Sequence, residues 1–390
     1  MKILVGHNYY QQPGGEDAVF RSEVAMLKGF GHEVCLYERR NDEIKPDIFS
    51  RISHAASLRY SKNSYRQMCA LIRSFKPDLA HFHNIFYVMT PAVLDACKDQ
   101  GVPVVLSVHN FRLVCLNGLF FRGGKPCEDC LPGSRVSGIM HRCFRGSLAL
   151  SVLAADMTDY HWRRKTWTDT VDRLVVATQF SKEKYVQAGI PAGKLSVLPH
   201  FVEGPPAIAK INGRYALYAG RLSQEKGVDI LLEAWKNIKD IPLYIVGTGP
   251  KQKDMETLIK DQGLSNVTML GFLESSEFQK VLSQARFLVV PSVCYENFPR
   301  VVVEAYACGV PVLANRLGTM EEIVEEGRTG LLFSNSDPED LAAKARSMVH
   351  DEDKYAQLCI NTRQVYDLKY TPQKHYQCLL RIYESLIQKR

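Results

Sequence analysis

Short runs of β-branched and apolar residues recur along this chain with amphipathic stretches between them, and the pattern is played through twice. A parallel strand covered on both faces needs a nearly continuous apolar run, and the return to its neighbour needs a helix, so this alternation predicts βαβ units. In the first half the expected strands are Ile3–Val5, Glu33–Tyr37, Leu79–His83, Val104–Val108, Arg173–Ala177 and Leu195–Leu198, with helices between them, as over Asp17–Gly29. After Gly204-Pro205-Pro206 the pattern restarts with Tyr215–Ala219, Leu243–Val246, Val267–Leu270, Phe287–Val290, Val310–Ala314 and Gly330–Phe333. A chain of 390 residues also exceeds one ordinary core. The expected fold is α/β, with two doubly wound, Rossmann-like parallel-sheet domains facing across a cleft. They comprise residues 1–204 and 205–370, and an amphipathic helix in 371–390, with Pro372 in its first turn, is expected to pack back on the first.

Ligands of such sheets bind beyond the carboxyl ends of the strands, so the residues that follow each strand carry the functional information. Gly14 and Gly15 follow the first strand, His109 follows Val104–Val108, and Gly220-Arg221 follow Tyr215–Ala219. Gly247 and Gly249 follow Leu243–Val246, and Glu296 follows Phe287–Val290. The segment Glu296-Asn-Phe-Pro-Arg-Val-Val-Val-Glu304 sets two carboxylates eight positions apart. On a helix that spacing falls near one face, with Glu296 just ahead of an N-terminus whose orphan N–H groups attract anions. A polyhydroxylated ligand bearing phosphate, such as a nucleotide sugar, fits that arrangement. The plainer alternative is a capping acid followed by a solvated helix residue. Val301, Val302, Val303 and Ala305 leave little polar surface around Glu304, which then requires a partner.

Composition narrows the class. Hydrophobic residues make up 46% and charged residues 23%, ordinary values for a globular protein. The start, Met1-Lys-Ile-Leu-Val-Gly-His7, lacks a long apolar signal core, and the apolar stretch around Leu148–Ala155 is shorter than the ~18–20 residues of a membrane span. A cytoplasmic enzyme is the default expectation. The eleven cysteines are odd in number. Several, including Cys69, Cys97, Cys308 and Cys378, lie in apolar periodic stretches, as reduced buried thiols do. The whole +7 excess of charge belongs to residues 1–204, since Lys+Arg and Asp+Glu balance in the remainder. Six basic and no acidic residues lie between Arg51 and Lys76, and a second group holds Arg135, Arg142, Arg145, Arg163, Arg164 and Lys165. These can face an anionic membrane or acceptor, with a solvated surface as the alternative. No recognition motif for nucleic acid accompanies them.

The segment Glu296-x7-Glu304, together with Ala219-Gly-Arg221-Leu-Ser-Gln-Glu-Lys226-Gly227, Val246-Gly-Thr-Gly249 and the stretch from Ala314 to Gly330, resembles the retaining glycosyltransferases of family 4, which have the GT-B fold. That resemblance implies transfer of a sugar from a UDP- or GDP-sugar to a saccharide acceptor, taken here to be lipid-linked, in cell-surface polysaccharide or glycolipid assembly. It implies that Arg221 and Lys226 meet the donor diphosphate, that Glu304 holds the ribose and Glu296 the sugar. Gly220 and the backbone around Phe298, Arg300 and Val301 would approach the phosphate, and His109 would be the active-site histidine, with His81 and His83 as its competitors. Gly14 and Gly15 would admit the ligand to the backbone and Glu16 would help to position the acceptor. Many family members carry glycine where Asn297 and Pro299 stand here. No metal is expected in catalysis, and peripheral attachment to the cytoplasmic face of the membrane follows from the lipid-linked acceptor. A sugar-nucleotide epimerase on the same fold and a non-catalytic nucleotide-sugar-binding protein are the other readings.

A second constellation, Cys115, Cys127, Cys130 and Cys143, has one close pair and two outlying members. It permits a structural zinc, reduced thiols or a disulfide.

Overall fold

Two six-stranded, wholly parallel sheets organise the chain, each in its own unit. The computed structural model describes residues 1–10, 14–41, 59–205, 213–334 and 336–388. Arg51, at the start of the first basic run, and Pro206 lie outside the described residues. In chain order the strands are β1 (Lys2–Tyr9), β2 (Glu33–Arg40), β3 (Leu79–Phe82), β4 (Val104–Val108), β5 (Phe121–Arg122), β6 (Lys125–Pro126), β7 (Arg173–Val176) and β8 (Leu195–Val197). There follow β9 (Tyr215–Ala219), β10 (Leu243–Val246), β11 (Val267–Gly271), β12 (Ala285–Val290), β13 (Val312–Asn315) and β14 (Gly330–Phe333).

The first unit comprises Met1–Leu119, Glu128–His200 and His375–Arg390. Its sheet runs β2-β1-β3-β4-β7-β8, so the strand order reverses beside β1, and the carboxyl ends of β1, β3 and β4 surround the switch point where such sheets take ligands. Strand β1 shows how the sequence prepares this edge. Ile3, Leu4 and Val5 are wholly buried, as a two-sided strand requires, and two of the next three buried residues, His7 and Asn8, are polar. They are held by partners at once: His7 Nε2 lies 2.8 Å from Asp17 Oδ1, and the Asn8 side chain donates to Asn41 Oδ1 at 2.7 Å. The C-terminal helix, Pro372–Ile387, belongs to this unit from His375 onward. His375 bonds to Glu23 Oε2 (3.2 Å) and to the Pro199 carbonyl (2.8 Å), Tyr383 OH meets His81 Nδ1 at 2.7 Å, and Tyr376 stacks on Phe30.

The second unit comprises Phe120–Cys127 and Phe201–Lys374. The sheet order β11-β10-β9-β12-β13-β14 places its reversal between β9 and β12. Helices cover both faces. On one, Leu231, Leu232 and Trp235 from helix Val228–Asn237 pack with Leu341 and Ala345, and on the other, Val302, Val303 and Tyr306 from helix Arg300–Ala307 pack with Val365 and Tyr366. The antiparallel β5–β6 hairpin lies in this unit, although it interrupts the first unit's sequence.

Two surface expectations change. Cys378 is exposed on its helix. Arg135 is buried against Asp159 rather than facing outward.

Leu217 is wholly buried on the central strand β9. Leu217→Ala should destabilise the second unit by about 2–5 kcal/mol, seen as a lower urea midpoint by circular dichroism.

Candidate functional site

The groups capable of chemistry collect at the carboxyl edges of both sheets, and each unit's set is built locally. In the second unit, the loop after β9 turns sharply so that Lys226 precedes the helix Val228–Asn237. Gly227 makes the turn at φ 69°, and a Cβ there would lie 1.9 Å from the Pro291 carbonyl oxygen, so only glycine lets this loop close on the segment after β12. A Cβ on Gly247 would in the same way strike the Gly220 carbonyl at 1.9 Å. These close approaches carry Lys226 Nζ to 2.6 Å from Glu296 Oε1, which also accepts from Ser292 Oγ at 2.5 Å. Asn315, at the end of β13, supports Ser292 by donating to its carbonyl at 2.9 Å.

Burial pushes Glu296 toward the neutral acid. The charge of Lys226 and the bonds from Lys226 and Ser292 outweigh it and hold the carboxyl below its ordinary value. For Lys226 burial likewise opposes the charge and Glu296 reverses the balance, so its ammonium is favoured. The pair is therefore ionic. Arg221, on the same loop, is exposed, and among the described residues its side chain makes no hydrogen bond or ion pair. It is a cation held ready rather than spent.

Helix Arg300–Ala307 begins four residues after Glu296, so the two glutamates do not share a helical face. Glu296 stands in the loop, and only Glu304 is helical. Its partner is Arg300, whose Nε donates to Glu304 Oε1 at 3.1 Å, while Arg300 Nη1 is buried with no hydrogen-bond partner among the described residues. Burial raises Glu304 and Arg300 opposes the rise. The Arg300 and Val301 N–H groups lie in the first helical turn, where no intrahelical acceptor precedes them.

In the first unit, His109 follows β4 with both ring nitrogens engaged: Nε2 lies 3.0 Å from His83 Nδ1 and Nδ1 lies 3.4 Å from His200 Nε2. A hollow beside it is lined by Glu16, His83, Asn84, Phe86 and Asn110. Glu16 accepts from Tyr10 OH at 3.0 Å and from Asn110 Nδ2 at 3.4 Å, and Arg112 Nη1 donates to the same tyrosine oxygen at 3.1 Å. Burial raises Glu16, with His7 and Arg112 opposing it. Gly14 is extended (φ −133°), and a Cβ on Gly14 or Gly15 would meet nothing within 4 Å. Neither glycine serves a fold constraint; what they leave is open space.

Sequence reasoning missed Ser292, Asn315 and the Arg300 guanidinium. Ser292 follows β12 and Asn315 is the last residue of β13, the same strand-end positions that located the others. Cys115, Cys130 and Cys143 belong to the first unit, and burial with the nearby sulfurs of Cys115 and Cys143 pushes Cys130 up to about 11. Among the described residues, the group of three or more potential ligand atoms lying within 4.8 Å of one another is Glu23, His81 and His83. Cys127 belongs to the second unit, and among the described residues the cysteines form no such group.

Comparisons with known proteins show the class to which the chain belongs. A family profile described as glycosyl transferases group 1 matches residues 207–365, and one described as Glycosyltransferase Family 4 matches residues 13–203. A GDP-mannose-dependent alpha-mannosyltransferase of Corynebacterium glutamicum is 30% identical over 319 residues, covering 74% of this chain and 73% of that one. An uncharacterized glycosyltransferase of Methanocaldococcus jannaschii is 25% identical over 99% of both chains. Among solved structures, sucrose-phosphate synthase from Thermosynechococcus elongatus superimposes with a TM-score of 0.72 at 18% identity, over 99% of this chain and 100% of that one. Anabaena HepE, solved in complex with UDP, gives 0.68 at 19% identity over the same shares. The chain belongs to glycosyltransferase family 4 and has the GT-B fold.

Lys226→Met should cost about 1–3 kcal/mol at pH 7, less than a fully buried pair because the Lys226 side chain keeps 29% of its exposure. The folded carboxyl of Glu296 lies below its ordinary 4.5, so its stabilisation is complete above that value and fades as pH falls through the depressed one. The stability gap between wild type and variant, read from urea melts, should narrow as the solution is acidified through that depressed value.

Proposed function

We propose that this glycosyltransferase moves a sugar from a UDP- or GDP-sugar to a saccharide acceptor with retention of anomeric configuration, and that the acceptor is lipid-linked, in cell-surface polysaccharide or glycolipid assembly. The observation that carries the donor reading is the second unit's cationic loop: an unpaired, exposed Arg221 and a Lys226 fixed by Glu296, both framed by glycines that let a ligand reach the backbone. Departure of a nucleoside diphosphate concentrates negative charge on its outer phosphate. Two cations preset at that position stabilise the departing group more than the bound donor, which is what accelerates the step. Arg300 Nη1 and the first N–H groups of its helix add donors for the same charge. Glu304 is assigned to the ribose hydroxyls and Glu296 to the sugar. In the first unit, His109 is assigned to the transfer step and Glu16, with Tyr10, Asn110 and Arg112, to the acceptor hydroxyls.

The bond from the anomeric carbon to the diphosphate oxygen breaks while one to the acceptor oxygen forms on the same face. The acceptor proton passes to the leaving phosphate oxygen, so no separate base is required. Glu296 is not assigned as a nucleophile, because Lys226 and Ser292 occupy its near oxygen. Both nucleotides are kept as donors: the Corynebacterium relative is named for GDP-mannose, and Anabaena HepE was solved with UDP-glucose.

The test is a screen of UDP- and GDP-sugars for slow donor hydrolysis. Arg221→Ala and Lys226→Ala should each lower turnover of the active donor by about 10²–10³-fold. Near-normal turnover in both would remove the diphosphate assignment, and isomerised donor with no sugar released would favour an epimerase.

The membrane reading draws on the stretch Val136–Ala155, which carries no acidic residue. Val136, Met140, Leu148 and Val152 are 58%, 69%, 50% and 45% exposed, and Arg142 and Arg145 stand among them on the surface. An apolar surface with a basic fringe suits an anionic bilayer, where methyl groups enter the headgroup boundary and arginines meet phosphate. Wild type should sediment with phosphatidylglycerol vesicles and not with phosphatidylcholine vesicles. Met140→Glu with Leu148→Glu should abolish that while sparing donor hydrolysis, and a wild type that ignores both vesicles would overturn the membrane reading. No helix among the described residues is long and apolar enough to cross a membrane.

A further inference from the structure

Behind His109, in the interior of the first unit, a row of imidazoles runs back to a single carboxylate. Glu23, on helix Gly15–Gly29, is 2% exposed, and around it stand His81, His83 and His375, at 0%, 3% and 3%. Its Oε1 is 3.0 Å from His81 Nδ1 and 3.3 Å from His83 Nε2, and its Oε2 is 3.2 Å from His375 Nε2. On the other side of the His83 ring, Nδ1 is 3.0 Å from His109 Nε2, and the two rings lie nearly parallel, 7° apart. His109 Nδ1 then faces His200 Nε2 at 3.4 Å.

Each contact in this row restricts where a proton sits. A carboxylate only accepts, so the nitrogen of His83 that faces it is the one that carries hydrogen. The contact is one of charge, since neither Glu23 Oε1 nor His83 Nε2 has an aligned hydrogen-bond partner. In a buried setting a charge at this distance orients the proton strongly. A neutral imidazole with hydrogen on Nε2 has its lone pair on Nδ1, and that lone pair must receive hydrogen from His109 Nε2. His109 is then left with its lone pair on Nδ1. We propose that Glu23 and His83 are positioning residues that fix the tautomer of His109, so that its Nδ1 is always the acceptor.

Burial drives the neutral state this requires. It lowers His83 to about 4 against the opposing charge of Glu23, and it lowers His109 well below the ordinary histidine value together with His200 and His83. Burial alone would push Glu23 up, but His81, His83 and the bond from His375 hold it well below its usual range, so the carboxylate stays ionised. The same groups do not make a cation site. His81 commits Nδ1 to Tyr383 OH at 2.7 Å and Nε2 to Ser107 Oγ at 2.8 Å, which leaves too few donor atoms pointing at a common centre.

The inference rests on the assignment of His109 to the transfer step, and its test does not. Long-range proton–nitrogen correlation spectra of the full chain labelled with ¹⁵N-histidine, with His109 identified by its loss in His109→Gln, report the tautomer without any substrate. In wild type His109 should be a single species protonated on Nε2. In His83→Phe, which keeps a flat ring but offers no acceptor, it should become a mixture of tautomers. In His83→Asn, whose side-chain oxygen stands near the position of Nδ1, the single tautomer should return. With an active donor, His83→Phe should lower kcat about 10–100-fold at unchanged donor KM, and His83→Asn should restore most of it. A wild-type His109 protonated on Nδ1, or a His109 spectrum that His83→Phe leaves unchanged, overturns the proposal whether or not a donor is found. Should His83→Phe fail to fold, the wild-type spectrum and His83→Asn still decide it. A chain inactive with every nucleotide sugar but showing these spectra would overturn the transferase reading alone.

Discussion

A strand buried on both faces has only one place to put chemistry, and that place is its end. Every strand in the two sheets is parallel, so all carboxyl ends of a sheet lie along the same edge and all the polar residues that follow them are brought together there. Gly220-Arg221, Ser292, Glu296 and Asn315 come from three different strand ends of one sheet; His7, His83 and His109 come from three of the other. The helices and the apolar strand centres hold these ends at fixed spacing. The pairing of Lys226 with Glu296 is a consequence of that spacing, because the two residues are seventy positions apart in sequence and share only a sheet edge.

This is also why so much of the fold was legible. The twelve strands of the two sheets all fall where β-branched runs stand between amphipathic stretches, and the strand-end rule located His109, Gly220, Arg221 and Glu296. Periodicity cannot say which strand end faces which, and the partners of each site residue depend on that. It suggested that Glu296 and Glu304 lay near one helix face, whereas Pro299, which has no N–H to give, marks a helix start three residues later than that reading requires. Arg300 stands four positions before Glu304 on one helix, a spacing the sequence displays, whereas Lys226 and Ser292 reach Glu296 through loops that periodicity does not describe. The β5–β6 hairpin was invisible for a different reason: two-residue strands carry no period at all.

The two edges handle charge in different ways. In the second unit a carboxylate is compensated by a lysine, and a further arginine stays exposed, so the edge as a whole invites an anion. In the first unit the carboxylate of Glu23 is surrounded by imidazoles that can each be neutral or charged, and its compensation is spread over several rings. A fixed ion pair suits the holding of phosphate. A row of rings suits the placing of single protons, because imidazole can carry hydrogen on either nitrogen at small energetic difference.

The helix that closes the chain completes the interior of the unit that opens it. His375 and Tyr383 supply contacts to Glu23 and His81 that no earlier residue provides, across more than three hundred positions. During synthesis the opening βαβ units leave the ribosome with a carboxylate and a ring of histidines whose last neighbours do not yet exist. That interior can reach its final electrical balance only after residue 383 has emerged, so the maturation of the first βαβ units waits on a helix made more than three hundred residues later.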